Sequence, residues 1–127
     1  MRRMQTFTKE ERLSGKKQIE ELMEKGNSFT VFPLRVVWKE TRMSVLSPAR
    51  IAISVPKRSF KKAVDRNRIK RQIREAYRKS KAGLYSHLAG GDKKINVMLV
   101  YTGKELPEYR LIESKMAEVL RQLKKRV

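Results

Sequence analysis

The chain has 127 residues, enough for one domain with a modest core, and 32 Lys or Arg against 13 Asp or Glu leave a formal charge of +19. The absence of cysteine excludes disulfides, thiolate zinc sites and a cysteine nucleophile, and no apolar run approaches the roughly 18 residues that span a bilayer. Charge of this size opposes compaction unless a polyanion neutralises it, so nucleic acid is the first candidate partner and an anionic membrane surface the second.

The opening Met1-Arg2-Arg3 leads into Gln5, Thr6, Lys9, Glu10 and Glu11, without the apolar core of a signal peptide. A soluble protein of the cytoplasm is expected. Thr8 and Glu11 have the spacing of a capping box. Ile19, Leu22 and Met23 then fall at i, i+3 and i+4, which predicts a short helix over Lys16 to Lys25, capped by Ser14 and ended by Gly26. Phe29 to Lys39 reads as one strand, with Leu34, Val36 and Trp38 on one face and Arg35, Val37 and Lys39 on the other. Pro33 has no N–H to give a ladder and marks an edge or a bulge.

Lys39 to Ser47 leaves room for a further short strand. Ile51, Ile53 and Val55 alternate with Ala52 and Ser54 in a second strand that Pro56 ends. Lys62 to Lys79 carries a helical stripe of Ile69, Ile73, Ala76 and Tyr77. Gly83, Gly90 and Gly91 read as interruptions of a polar loop. Ile95 to Tyr101 is apolar on both faces and is therefore expected at the centre of a sheet. A last helix is expected from about Pro107 to Lys125, its face made by Ile112, Met116, Val119, Leu120 and Leu123. The order implies an α+β two-layer sandwich, with three helices packed on one small sheet, in a single domain over 1–127. Parallel pairing of the last strand across the basic helix is open at this stage.

Charge is concentrated between Lys57 and Lys81, where twelve Lys or Arg stand against Asp65 and Glu75, a net +10 of the total. Arg66, Lys70 and Arg74 follow one edge of the helix, with Asn67, Arg71 and Arg78 beside them. Mixed charges would make an ordinary solvated face, but like charges at i, i+4 destabilise an isolated helix and call for a counter-charge. Arg and Lys that meet phosphates release counterions, Arg adds a planar fork, and Asn67 can donate to or accept from a 2′-hydroxyl or a base edge.

Val55-Pro56-Lys57-Arg58, Lys62-Ala63-Val64-Asp65-Arg66-Asn67-Arg68-Ile69-Lys70-Arg71 and Arg74-Glu75-Ala76-Tyr77-Arg78 resemble the signature of the bacterial ribonuclease P protein, with the Arg-Asn-Arg intact. Phe7, Arg12 and Leu13 and the order of elements resemble that family too. The resemblance implies a sandwich with a four-stranded sheet and a left-handed βαβ crossover, unlike the usual right-handed connection. It also implies a catalytic RNA partner that carries the chemistry with Mg²⁺, a precursor tRNA substrate, and no cofactor or metal on the protein itself. Carried over residue by residue, Arg66, Asn67, Arg68, Lys70, Arg71 and Arg74 would contact the catalytic RNA. Lys57, Arg58 and Lys62 would extend that surface, and Arg12 would join it from the N-terminal segment. A cleft between the first helix and the sheet would hold the single-stranded 5′ leader, with Ile19, Met23 and Trp38 at the lining positions. Family members often have aromatics on that helix, and this chain does not. Ile19 and Met23 also fit a plain core, and Trp38 is either a core side chain or a base platform.

The residues offer no catalytic constellation of their own: His87 is the single histidine, and Gly90-Gly91 lacks the Lys-Ser/Thr ending of a phosphate-binding loop. A ribosomal protein or general RNA chaperone would share the charge and size without needing the Arg-Asn-Arg helix. DNA binding lacks helix-turn-helix spacing, and a membrane-surface helix would need a broader apolar stripe than that at 62–79.

Overall fold

A computed structural model describes residues 7–42 and 47–127. After a 3₁₀ turn at Lys9–Glu11 the elements are α1 (Lys16–Lys25), β1 (Asn27–Val31), β2 (Leu34–Glu40), β3 (Ala49–Ser54), α2 (Ala63–Ser80), α3 (Ala82–Gly90), β4 (Ile95–Tyr101) and α4 (Tyr109–Arg126). One mixed sheet runs in the order β1-β2-β4-β3. β4 lies inside it, antiparallel to β2 and parallel to β3, so the basic helix lies in the crossover between two parallel neighbours. This is the expected α+β sandwich, and β4 is buried on both faces because the sheet is covered, in whole or part, on both.

The alternation of β2 and β4 divides the apolar residues. Leu34, Val36, Trp38, Val97 and Leu99 face a main core closed by Ile69, Ile73 and Tyr77 of α2, Leu84 and Leu88 of α3, and Ile112, Met116 and Leu123 of α4. Val37 and Met98 face the other way, into a small second cluster with Leu13 and with Leu22 of α1. Gly26 permits that packing. A Cβ there would lie 2.4 Å from the Leu22 carbonyl oxygen and 2.8 Å from Val37 Cγ1, so α1 can turn into β1 this close to the sheet only without a side chain.

Several expectations change. The single strand over Phe29 to Lys39 is a hairpin of β1 and β2, paired Val31 with Leu34 and Asn27 with Trp38. Pro33 sits in its turn after a cis Phe32–Pro33 bond, and its carbonyl accepts from the Thr102 N–H. Val31 and Leu34 face each other across the two-residue turn and share the main-core side, so the alternation shifts phase by one there, and that single shift is the only local sign that the apolar run is two strands. The supposed loop over 83–91 is α3: Leu84 and Leu88 stand one turn apart and are fully buried, while its glycines lie on exposed positions. The helices therefore number four among the described residues, not three. Gly15, not Ser14, occupies the N-cap of α1, without a side-chain cap. The possible extra strand between Lys39 and Ser47 falls largely on 43–46, outside the described residues.

Candidate nucleic-acid interface

α2 is anchored by its apolar stripe, Ile69, Ile73, Ala76 and Tyr77, all buried. That anchoring fixes which cations look outward. Asn67, Arg68 and Arg71 are exposed, and Lys70 and Arg74 are half-buried at the margin. Among the described residues these five have no intramolecular hydrogen-bond or ion-pair partner. The helix therefore holds a row of uncompensated cations in a rigid frame, the arrangement that gives affinity for a polyanion without a large ordering cost.

Arg66 is used differently. Its Nη1 donates to the carbonyls of Phe60 and Lys61, at 2.7 and 2.9 Å. The first residue of the Arg-Asn-Arg motif thus ties the loop that carries Lys57, Arg58, Lys61 and Lys62 onto the start of α2, leaving only part of its fork for a ligand. At the other end of the helix the cations are engaged. Arg78 makes a two-pronged bond to Glu75, at 2.9 and 2.6 Å, and the bonded guanidinium holds the Glu75 carboxyl below its ordinary range. Lys79 lies 4.0 Å from Glu113 and over the Tyr109 ring. Lys81 is 2% exposed and not part of the surface at all.

Lys81 closes a buried cluster. Its Nζ is 2.5 Å from Glu11 Oε2, which also accepts from the Tyr85 hydroxyl, and the Tyr85 oxygen in turn accepts from the Tyr77 hydroxyl at 2.9 Å. Glu11 Oε1 accepts from the Thr8 N–H at 2.7 Å, so the expected capping box is present. Burial pushes the Glu11 carboxyl up, but its bonds from Lys81, Tyr85 and Thr8 and the Lys81 charge outweigh that and hold it below its ordinary value. Arg12, the next residue, is exposed, with its guanidinium 5.8 Å above the Phe7 ring, and Phe7 meets Tyr77 of α2 edge-on.

The cleft lining differs from expectation. Ile19 is half-buried and Met23 is 43% exposed on α1, but Trp38 points to the opposite side of the sheet, 8% exposed in the main core. The three do not line one groove. Trp38 follows Val37 in β2, and a one-residue step along a strand crosses to the other face. On the side that α1 partly covers, the surface beyond Val37 and Met98 stays open. There Arg35, Arg58, Ser59, Val100, Thr102 and Lys104 border a groove of about 720 Å³. Arg35 and Lys104 are functional candidates that sequence reading missed. Arg35 was legible as an outward residue of β2, but its nearness to the Pro56–Ser59 loop depends on pairing through β4. Nearer the start of α1, Arg50 bridges the gap by donating to Gln18 and Asn96.

Among the described residues no three His, Asp or Glu converge as metal ligands, and no helix is long and apolar enough to cross a membrane. His87 lies on α3, exposed.

A family model described as ribonuclease P matches residues 7–124. A ribonuclease P protein component from Porphyromonas gingivalis is 34% identical over 90% of this chain and 83% of its own length. One from Chlorobium phaeobacteroides is 27% identical over 94% of this chain and 88% of its own. The Staphylococcus aureus RNase P protein superposes with a TM-score of 0.72 over 89% of this chain and 94% of its own, at 21% identity. The Thermotoga maritima protein gives 0.69 over 88% and 96%, at 22% identity. These last two likenesses concern the fold.

Proposed function

The chain belongs to the ribonuclease P protein family and serves tRNA processing as the protein subunit of that enzyme, and from this premise we propose how its surface divides the work. The free cations of α2, with Asn67, take the catalytic RNA; Lys57, Arg58 and Lys62 extend that contact, and Arg12 joins it from the N-terminal side. The single-stranded leader of precursor tRNA crosses the open sheet face between Arg35, Arg58 and Lys104, beside the α1 residues Ile19 and Met23. Trp38 has no part in it. Hydrolysis in the cytoplasm is carried by the RNA with Mg²⁺. The protein contributes fixed positive charge that screens the close approach of two RNA backbones, and a groove that adds binding energy only for substrates that keep a leader.

The observation that carries this reading is the contrast within one helix: among the described residues Arg68, Lys70, Arg71 and Arg74 have no acidic partner, whereas Glu75 of α2 and Glu113 of α4 pair with Arg78 and Lys79. An aliphatic groove floor at Val100 suits contact with riboses and base edges rather than deep stacking, so the groove favours a leader of any sequence. The test is reconstitution with a bacterial ribonuclease P RNA and a leader-bearing precursor tRNA at low Mg²⁺. Restored 5′ cleavage is expected. RNA binding without restored cleavage would instead assign a general RNA chaperone.

A further inference from the structure

Among the described residues, the Glu11–Lys81 cluster is the most deeply buried ionic feature of the molecule, and core stability does not account for it. Taking an ammonium and a carboxylate out of water costs several kcal/mol each by general estimates, and apolar residues of similar volume commonly serve a core as well or better. What a buried pair does supply is a single geometry. Here the partners are 70 residues apart in sequence, joining the start of the chain to the junction of α2 and α3. Around the pair everything is directional. Tyr85 and Lys81 converge on one carboxylate oxygen and the Thr8 N–H on the other. Immediately after Glu11 the backbone pairs Arg12 with Ile51 at the edge of β3, where the Leu13 N–H donates to the Ile51 carbonyl at 2.9 Å. Four residues before Glu11, Phe7 contacts Tyr77, whose hydroxyl donates to Tyr85. Arg12 is the exposed residue at the middle of this fixture, its guanidinium over Phe7 and its backbone pinned to the sheet edge.

We infer that Glu11 and Lys81 are positioning residues of the RNA interface: their buried pair clamps the N-terminal segment against α2 so that Arg12 is presented in fixed register with the cations of that helix. The inference rests on Arg12 being an RNA contact, as proposed above. A side chain tethered on both sides loses little freedom on binding, whereas the same arginine on a loose segment must be ordered at the moment of contact. The clamp acts through Arg12 and touches no RNA itself.

The test is a double-mutant cycle on affinity for a ribonuclease P RNA, using the full chain. Glu11→Gln with Lys81→Met removes both charges together and so leaves no unpaired buried ion. Arg12→Ala alone is expected to weaken binding about tenfold, the scale of one charge-assisted hydrogen bond. The clamp variant is expected to weaken it by a similar factor, and Arg12→Ala added to the clamp variant by less than about twofold more. A merely structural pair would shift the melting temperature but leave the Arg12 effect at full size in both backgrounds. Additive losses, or a clamp variant that binds RNA like the parent, overturn the inference while leaving Arg12 as a contact. No loss from Arg12→Ala alone overturns the reading of Arg12, and the clamp with it. If the double variant fails to melt cooperatively, Tyr85→Phe removes one hydroxyl from the carboxylate and replaces it in the cycle, with the same non-additivity expected on a smaller scale and the same additivity overturning the inference.

Discussion

The two ends of α2 carry similar charge and have opposite fates. In its first half Arg68, Lys70 and Arg71 are unpaired, among the described residues, and face outward or lie at the margin. In its last turn and just beyond, Arg78 is bonded to Glu75, Lys79 approaches Glu113, and Lys81 is buried against Glu11. Charge count treats all six alike. What separates them is whether the fold brings an acid within reach, because a cation already paired gains little from a phosphate and a free one gains the full release of counterions. The two sheet faces repeat the lesson: Arg35 on one is open to a partner, while Trp38 on the other is used by the core. Substitutions should therefore fall into two groups, one read in folding and the other in RNA binding.

The largest effect is expected at Trp38. Trp38→Ala should lower stability by about 3–5 kcal/mol in denaturant unfolding, while the folded protein still prefers precursor tRNA with a leader over mature tRNA. Lost leader preference at unchanged stability would return Trp38 to the site. Next comes the free half of α2. Replacing Arg68, Lys70 and Arg71 together with Ala should weaken RNA binding by roughly 100-fold, at about 1 kcal/mol per contact. The slope of log K against log salt should flatten by about 3. The melting temperature should hold or rise, because like charges are removed from one helix. Unchanged affinity would show that the exposed row does not meet phosphates.

Acid should act on the buried end and spare the free one. Glu11 has its carboxyl lowered in the folded protein, so the pair contributes stability that is present above the ordinary glutamate range and lost as pH falls through the lower folded value. The arginines keep their charge throughout. A stability profile over pH 3–6 should therefore fall at the acid end, and Glu11→Gln with Lys81→Met should flatten that fall. An unaltered profile would assign the acid sensitivity to other carboxylates. The smallest effect is expected for Arg78→Ala, which should change RNA affinity by less than about twofold, since Glu75 already occupies that guanidinium. A loss as large as that from Arg71→Ala would erase the distinction between the two ends.

Much of this was legible without coordinates. The stripe of Ile69, Ile73, Ala76 and Tyr77 determined that α2 exists and which side of it is buried, because a 3.6-residue period has one geometric solution. The double-sided apolar run at 95–101 pointed to β4 inside the sheet, since a strand apolar on both sides needs both faces of the sheet covered, as the sheet centre is. The Arg-Asn-Arg run and its neighbours marked the basic surface. Other features depended on what lies across space. Alternation in β2 put Trp38 opposite Val37, yet only the packing of α1 over Val37 and Met98 decided which of those faces is the cleft. Gly83, Gly90 and Gly91 outweighed Leu84 and Leu88 in local preference, and burial against the main core reversed that balance. Glu11 read only as half of a capping box and Lys81 as the end of the basic run, because pairing over 70 residues leaves no trace in local pattern. The sequence determined periodicity, total charge and family. The tertiary structure alone decided which charges are free, because a charge is neutralised by what stands a few ångströms away and not by its neighbours along the chain.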